Sequence, residues 1–192
     1  IADLRGVLPF AESHIPSLID ARQRLLKAGG TLIPQSDSLW LAVVNMPKKF
    51  EKINYPWSET PYGFDMARAG RYLNNAWYSG RADPQQLLSE PAEWARLDYR
   101  TIESPNAAGQ VTLEITQPGT AHGLLVWFDA TLFDDVGFSN RPGVDPHPLV
   151  YGSGFFPWPH AVAVEAGDGV AVAIDVKVIG GSYVWRWRSE VR

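Results

Sequence analysis

Four histidines, His14, His122, His147 and His160, are the side chains here best suited to proton transfer or metal ligation. Their spacing matches no zinc-ligand set, and no cysteine is present to complete one. The missing cysteines also exclude a disulfide framework and fit a reducing compartment. No G-x-G-x-x-G turn opens a βαβ unit. No phosphate-cradling loop and no nucleophile elbow occur. His147 stands in the proline-flanked run Asp145-Pro146-His147-Pro148, where a histidine is usually a surface residue. Asp3 and Glu12, taken as bare residues, read as a terminal acid and a helix-start charge. Eight Trp, seven Tyr and eight Phe can line a cleft as well as fill a core, and Trp158 and Trp185 look exposed.

The elements that would position these residues follow from periodicity. Residues 13–28 read as a helix, with Ser13 as cap, Pro16 in the first turn, and Ile15, Leu18, Ile19, Leu25 and Leu26 on one face. Gly29-Gly30 ends it. A strand pair is expected at 31–33 and 39–44 around the turn Pro34-Gln35-Ser36-Asp37. Residues 48–53 fit a short helical turn. Residues 65–78 fit a helix with Met66, Ala69, Tyr72, Leu73, Ala76 and Trp77 on one stripe, ended by Gly80. Asp83 and Pro84 open a second short helix over 85–89. Two short helices interrupting strands look like an inserted arm.

Beyond Pro91 the pattern is nearly all β, with candidate strands at 93–101, 110–117, 121–133, 160–165, 170–179 and 183–188. The clearest alternates Val170, Val172, Ile174, Val176 and Val178 against Ala171, Ala173, Asp175 and Lys177. Gly180-Gly181-Ser182 is a hairpin turn, and the following strand puts Tyr183, Trp185 and Trp187 opposite Arg186 and Arg188. The fold class is therefore mainly β: a β-barrel or sandwich of about eight to ten strands with an N-terminal helix and an inserted helical arm.

Bulk properties set outer limits. The 192 residues suffice for one large domain, and 45% hydrophobic with 20% charged residues is ordinary for a globular chain. A net charge of −4 gives no basic field for nucleic acid, and no apolar run is long enough for a membrane helix. The start at Ile1-Ala2-Asp3 has neither an initiator Met nor a signal-peptide pattern, which predicts a piece of a longer protein.

Several motifs, in order along the chain, carry a resemblance. Asp3-Leu4-Arg5-Gly6 is followed six residues after Gly6 by Glu12-Ser13. Then come Asp20-Ala21-Arg22, Leu25-Leu26, Gly29-Gly30 and Leu32-Ile33-Pro34. Tyr62-Gly63-Phe64-Asp65-Met66 precedes Asp83-Pro84-Gln85-Gln86-Leu87. Residues 122–129, HGLLVWFD, and Gly137-Phe138-Ser139-Asn140-Arg141-Pro142 complete the set, with Gly167-Asp168 in a later hairpin. Together they resemble the C-terminal part of the protein arginine methyltransferases.

The resemblance implies that Glu12 and Asp3 are the acidic pair that grips a substrate guanidinium, with Asp3 one methylene shorter than the usual glutamate. A guanidinium is planar with five donors, so two carboxylates can orient it. The family's second substrate loop carries Thr-His-Trp. Counting back from Gly167 without gaps puts Leu149-Val150-Tyr151 there, leaving Tyr151 and the nearby His147 as substrate-binding candidates. The same resemblance implies residues 1–34 as the tail of the catalytic domain and 35–192 as the barrel, with a dimerisation arm at about 62–90. That arm would contact its partner through Met66, Tyr72, Leu73 and Trp77. It implies S-adenosylmethionine as cofactor of the full-length protein, with none expected for this chain alone, because the glycine-rich donor turn would lie upstream of Ile1. A homodimer, a protein or peptide substrate, no nucleic acid, no membrane and a cytoplasmic location complete the expectation. Two other readings stay open: a non-catalytic binding or assembly barrel, and a ligand-binding β-sandwich using exposed aromatics.

Overall fold

A computed structural model of the chain describes residues 1–58, 63–146, 148 and 150–192. His147 and Tyr62, both singled out by the sequence, lie outside them. Nine strands are present among the described residues. Six form one antiparallel sheet: β2 (Tyr78–Gly80), β7 (Ser153–Val164), β5 (Gly119–Phe133), β1 (Ser36–Val44) and β3 (Ala92–Asp98) in that order, with β6 (Val136–Ser139) paired to β5. Three more, β4 (Ala107–Glu114), β8 (Gly169–Ile179) and β9 (Ser182–Val191), form a second antiparallel sheet in that order. The inner faces of both sheets meet in one core containing Leu39, Leu41, Val43, Leu124, Phe128, Phe156, Val170, Val172 and Val176. The alternation at residues 170–178 predicts this: Val170, Val172, Ile174 and Val176 are buried, and Val178 is only half-buried. Gly180 and Gly181 have φ of 59° and 84°, the left-handed pair that a two-residue hairpin needs, and join Ile179 to Ser182 in register.

Several element boundaries differ from the sequence reading. The first helix is α1 (His14–Asp20), continued only by a π-helical turn, Ala21–Leu25, in which Leu26 N–H donates to Ala21 O at 2.9 Å. Leu25 and Leu26 are exposed, so no buried contact holds a further turn, and Ser13 occupies the cap position without a side-chain cap bond. The strand pair at 31–33 and 39–44 does not form. Residues 31–33 belong to no strand, and Ile33 O instead accepts from Ala2 N–H at 2.8 Å. Asp37, expected in a turn, is inside β1 between β3 and β5. The remaining β segments occur, β7 beginning earlier than expected; β2 and β6 have three and four residues and carry too little alternation to be read.

The arm region also differs. The turn expected at 48–53 is α2 (Pro47–Ser58), and the helix expected at 65–78 is the shorter α3 (Ala67–Leu73). Asn74, Asn75 and Ala76 close it with bonds back to Gly70, Tyr72 and Leu73, and asparagine is a poor helix former that favours such turns. The expected stripe therefore splits. Leu73 packs with Phe50, Ile53 and Tyr78 on a second cluster around Val44, Leu125 and Phe155, on the outer face of the large sheet. Trp77 has left the helix and stacks on Phe156 in the main core, ring centroids 6.0 Å apart. Met66 is half-buried at the helix cap, whereas Tyr72 is 79% exposed. The helix expected at 85–89 is a single 3-10 turn, Pro84–Gln86, in which Asp83 N–H donates to Gln86 Oε1 at 2.9 Å.

Candidate acidic-loop site

The segment from Asp3 to Glu12 has no regular structure, yet it is fixed. Leu8 and Phe10 are 2% and 4% exposed and enter the barrel core. Phe10 meets Tyr183, Trp185 and Trp94 with ring centroids 5.5, 5.2 and 6.1 Å away. A side chain at Gly154 would come within 3.0 Å of Leu8, so glycine there makes the room Leu8 fills. The fully buried Asn140 holds the backbone around it. Its Oδ1 accepts from Phe128 N–H at 2.8 Å, and its Nδ2 donates to Gly152 O at 2.6 Å and Val7 O at 3.4 Å. The loop, β5 and the segment before β7 are thereby tied at one point.

Both ends of this pinned loop carry an acid. Glu12 is exposed on a tight turn with φ 41° and makes no hydrogen bond or ion pair among the described residues. Asp3 is engaged: its Oδ1 accepts from the Tyr151 hydroxyl at 2.6 Å and from Arg5 Nη1 at 3.4 Å. Asp3 and Tyr151, singled out from opposite ends of the sequence, are thus brought together.

Behind Asp3 lies a cluster that the sequence reading missed. Arg5 has a side chain only 1% exposed, and its Nε and Nη2 donate to Asp37 Oδ2 and Oδ1, both at 3.1 Å. Its guanidinium carbon is 5.6 and 5.4 Å from the ring centres of Phe128 and Phe138. Asp37 Oδ2 also accepts from the Tyr99 hydroxyl at 2.6 Å. Burial opposes the Arg5 charge, but Asp37 more than restores it, and the Arg5 pKa ends above its usual value. Burial lifts the Asp37 carboxyl above the usual carboxylate range, with Arg5 and Tyr99 pulling against it. Burial and the Asp37 charge push Tyr99 well above a tyrosine's ordinary pKa, so it stays a donor. Burial, then the bond to Asp3, pushes Tyr151 up to about 12. Removing one member of such a buried ion pair strands the other, at about 3–5 kcal/mol.

His14, buried on α1, packs edge-on against Tyr99 with ring centroids 5.5 Å apart, and neither of its ring nitrogens has a partner. Burial, then the Arg5 charge, lowers its pKa to about 4. It is a neutral wall of the cluster.

The site can therefore offer carboxylate oxygens at set positions to a cation approaching the loop. Every described strand pair is antiparallel. The aromatics that suggest a ligand-binding sandwich are otherwise occupied. Trp158 is 4% exposed, and Trp185 packs against Phe10, Trp77, Trp94 and Phe156. Among the described residues no helix is long and apolar enough to cross a membrane.

Comparison with known proteins agrees with this architecture. The family model described as the arginine methyltransferase oligomerization subdomain matches residues 35–178. Protein arginine N-methyltransferase 6 of Xenopus tropicalis is 29% identical over 141 residues, covering 68% of this chain and 41% of that protein. Arginine N(omega)-methyltransferase of Streptomyces achromogenes subsp. streptozoticus is 27% identical over 167 residues, covering 86% of this chain and 45% of that protein. The chain thus spans less than half the length of the curated relatives it matches. Among solved structures, the Trypanosoma brucei PRMT1 enzyme-prozyme heterotetrameric complex with AdoHcy superposes with a TM-score of 0.76 at 14% identity, over 100% of this chain and 68% of that one. At that identity the likeness shows a shared fold.

Proposed function

This chain belongs to the arginine methyltransferase family, and on that premise we propose that it is the acceptor-binding and oligomerisation half of a protein that methylates arginine. The observation that carries the reading is the pinned loop with Asp3 at one end and, at the other, an exposed Glu12 that has no partner among the described residues. Carboxylates held at set positions can hold a guanidinium and aim one of its nitrogens, and orientation supplies much of the rate of a direct displacement. Tyr151, beside Asp3, belongs to the acceptor side in this reading, and His147 is an acceptor candidate by its place in the sequence alone. The methyl donor, S-adenosylmethionine, is held by residues outside this chain. In support, the matched relatives are more than twice as long as the region they share, and AdoHcy is present in the Trypanosoma brucei complex.

The full-length protein works as a homodimer in this proposal, with the arm as contact. Phe64 and Tyr72 are 69% and 79% exposed beside Met66 and Leu73, an apolar surface of the kind that marks interfaces. Trp77 itself packs in the main core. A protein or peptide acceptor and a cytoplasmic location belong to the same proposal. The test is transfer of labelled methyl from S-adenosylmethionine by the full-length protein to an arginine-rich peptide and to the same peptide with lysine for arginine. Label confined to the arginine peptide is the expected result; equal labelling of both, or of neither, removes arginine as the acceptor.

A further inference from the structure

The geometry points to Tyr151 and Arg5 as the positioning residues of Asp3, leaving Glu12 as the one carboxylate of the loop that takes up the acceptor's charge. This inference rests on the acceptor-site reading above and makes its two carboxylates unequal. Asp3 Oδ1 is taken twice, by the Tyr151 hydroxyl and by Arg5. Arg5 is not free to swing away, because Asp37 holds it through two nitrogens, Phe128 and Phe138 flank it, and its side chain is 1% exposed. Tyr99 fixes Asp37 in turn. A continuous line of contacts runs from the barrel interior out to the loop and ends on Asp3.

Two consequences follow. A resident guanidinium already offsets part of the Asp3 charge, and a second guanidinium drawn to the same oxygen meets a like charge. Asp3 also cannot follow an acceptor that moves, since the Tyr151 hydroxyl holds it. The shortened acid and Tyr151 thereby form a matched pair. Phe138 adds to this by stacking on the Tyr151 ring, centroids 5.4 Å apart and planes 20° off parallel. Glu12 has no partner among the described residues, so its carboxylate is open to the ligand. An acceptor cation is then held by Glu12 and steered by Asp3.

The experiment measures kcat and KM of the full-length protein with S-adenosylmethionine and an arginine-rich peptide, for Glu12→Gln, Asp3→Asn, Tyr151→Phe and the double variant Asp3→Asn/Tyr151→Phe. Tyr151→Phe keeps the ring on Phe138 and removes only the hydroxyl, so its melting temperature should stay at the wild-type value. Glu12→Gln should lower kcat/KM about 30-fold or more, the loss of a charged partner. Asp3→Asn and Tyr151→Phe should each cost about 2–10-fold, the scale of one hydrogen bond, and mainly in kcat. The double variant should match Asp3→Asn alone, because Tyr151 acts through Asp3. Asp3→Asn as damaging as Glu12→Gln, or a double variant whose losses multiply, overturns the assignment and leaves the acceptor-site reading standing. Glu12→Gln at the wild-type rate, or no labelling even by the wild type, rejects that reading and this inference with it.

Discussion

The acidic loop and the helical arm both stand apart from the regular strands, and they resolve their apolar residues in opposite ways. The loop sends Leu8 and Phe10 fully into the barrel and exposes its acids. The arm returns Trp77 to the core and Leu73 to the sheet's outer face, but leaves Tyr72 and Phe64 in the open. A loop anchored at its centre by aromatic packing can hold a small ligand without rearranging, because its shape is already set. In the proposed reading, an arm with uncovered aromatics is completed by a second protein surface. The same chain thus carries a finished feature and an unfinished one.

Phe10→Ala should break the finished feature most. It removes a ring that touches three others in a closed core, and such a truncation costs about 3–5 kcal/mol. Urea unfolding of the variant checks it; a loss under 1 kcal/mol would mean that the loop is not anchored there.

Acid should loosen the wall of the same cluster. The folded pKa of His14, about 4, lies below its unfolded value of 6.5. Below pH 6.5 the unfolded chain therefore binds the extra proton. The stability that neutral His14 allows is fully present above that pH and falls away as pH drops towards 4. The shift corresponds to about 3 kcal/mol. Denaturant unfolding between pH 7 and pH 4 should show this slope in the wild type and a shallower one in His14→Leu; equal slopes contradict it.

Tyr72→Asp should have the smallest effect on the fold, within about 0.5 kcal/mol, because the ring is exposed. Its effect should appear instead in mass, with light scattering showing the full-length dimer dissociating. An unchanged dimer means that Tyr72 is outside the interface.

The two regions also differ in how far they could be read from sequence. Long strands such as β8 declare themselves by alternation, and Trp185 and Trp187 by their parity on β9. Asp37 did not, because aspartate disfavours strands and sits beside a proline-led turn. Its parity is nevertheless that of Leu39, Leu41 and Val43, all core-facing, and that was the available signal for a buried carboxylate needing a cation. The cation, Arg5, lies 32 residues away, and no local pattern connects them. Tyr151 came into view through spacing within a family pattern, while its contact with Asp3 spans 148 residues and needed the fold. The arm misled for the converse reason: a helical period continues through Asn74 and Asn75, but the turn there ends the helix and redirects Trp77.

Amide hydrogen exchange of the full-length protein over a dilution series compares the two regions in one measurement. The loop around the buried Leu8 and Phe10 should exchange at one rate at all concentrations, since its packing lies within this chain. The arm, residues 63–76, should be protected only where the protein is dimeric and should lose that protection on dilution. A loop that exchanges as fast as the dilute arm, or an arm indifferent to concentration, would contradict the account.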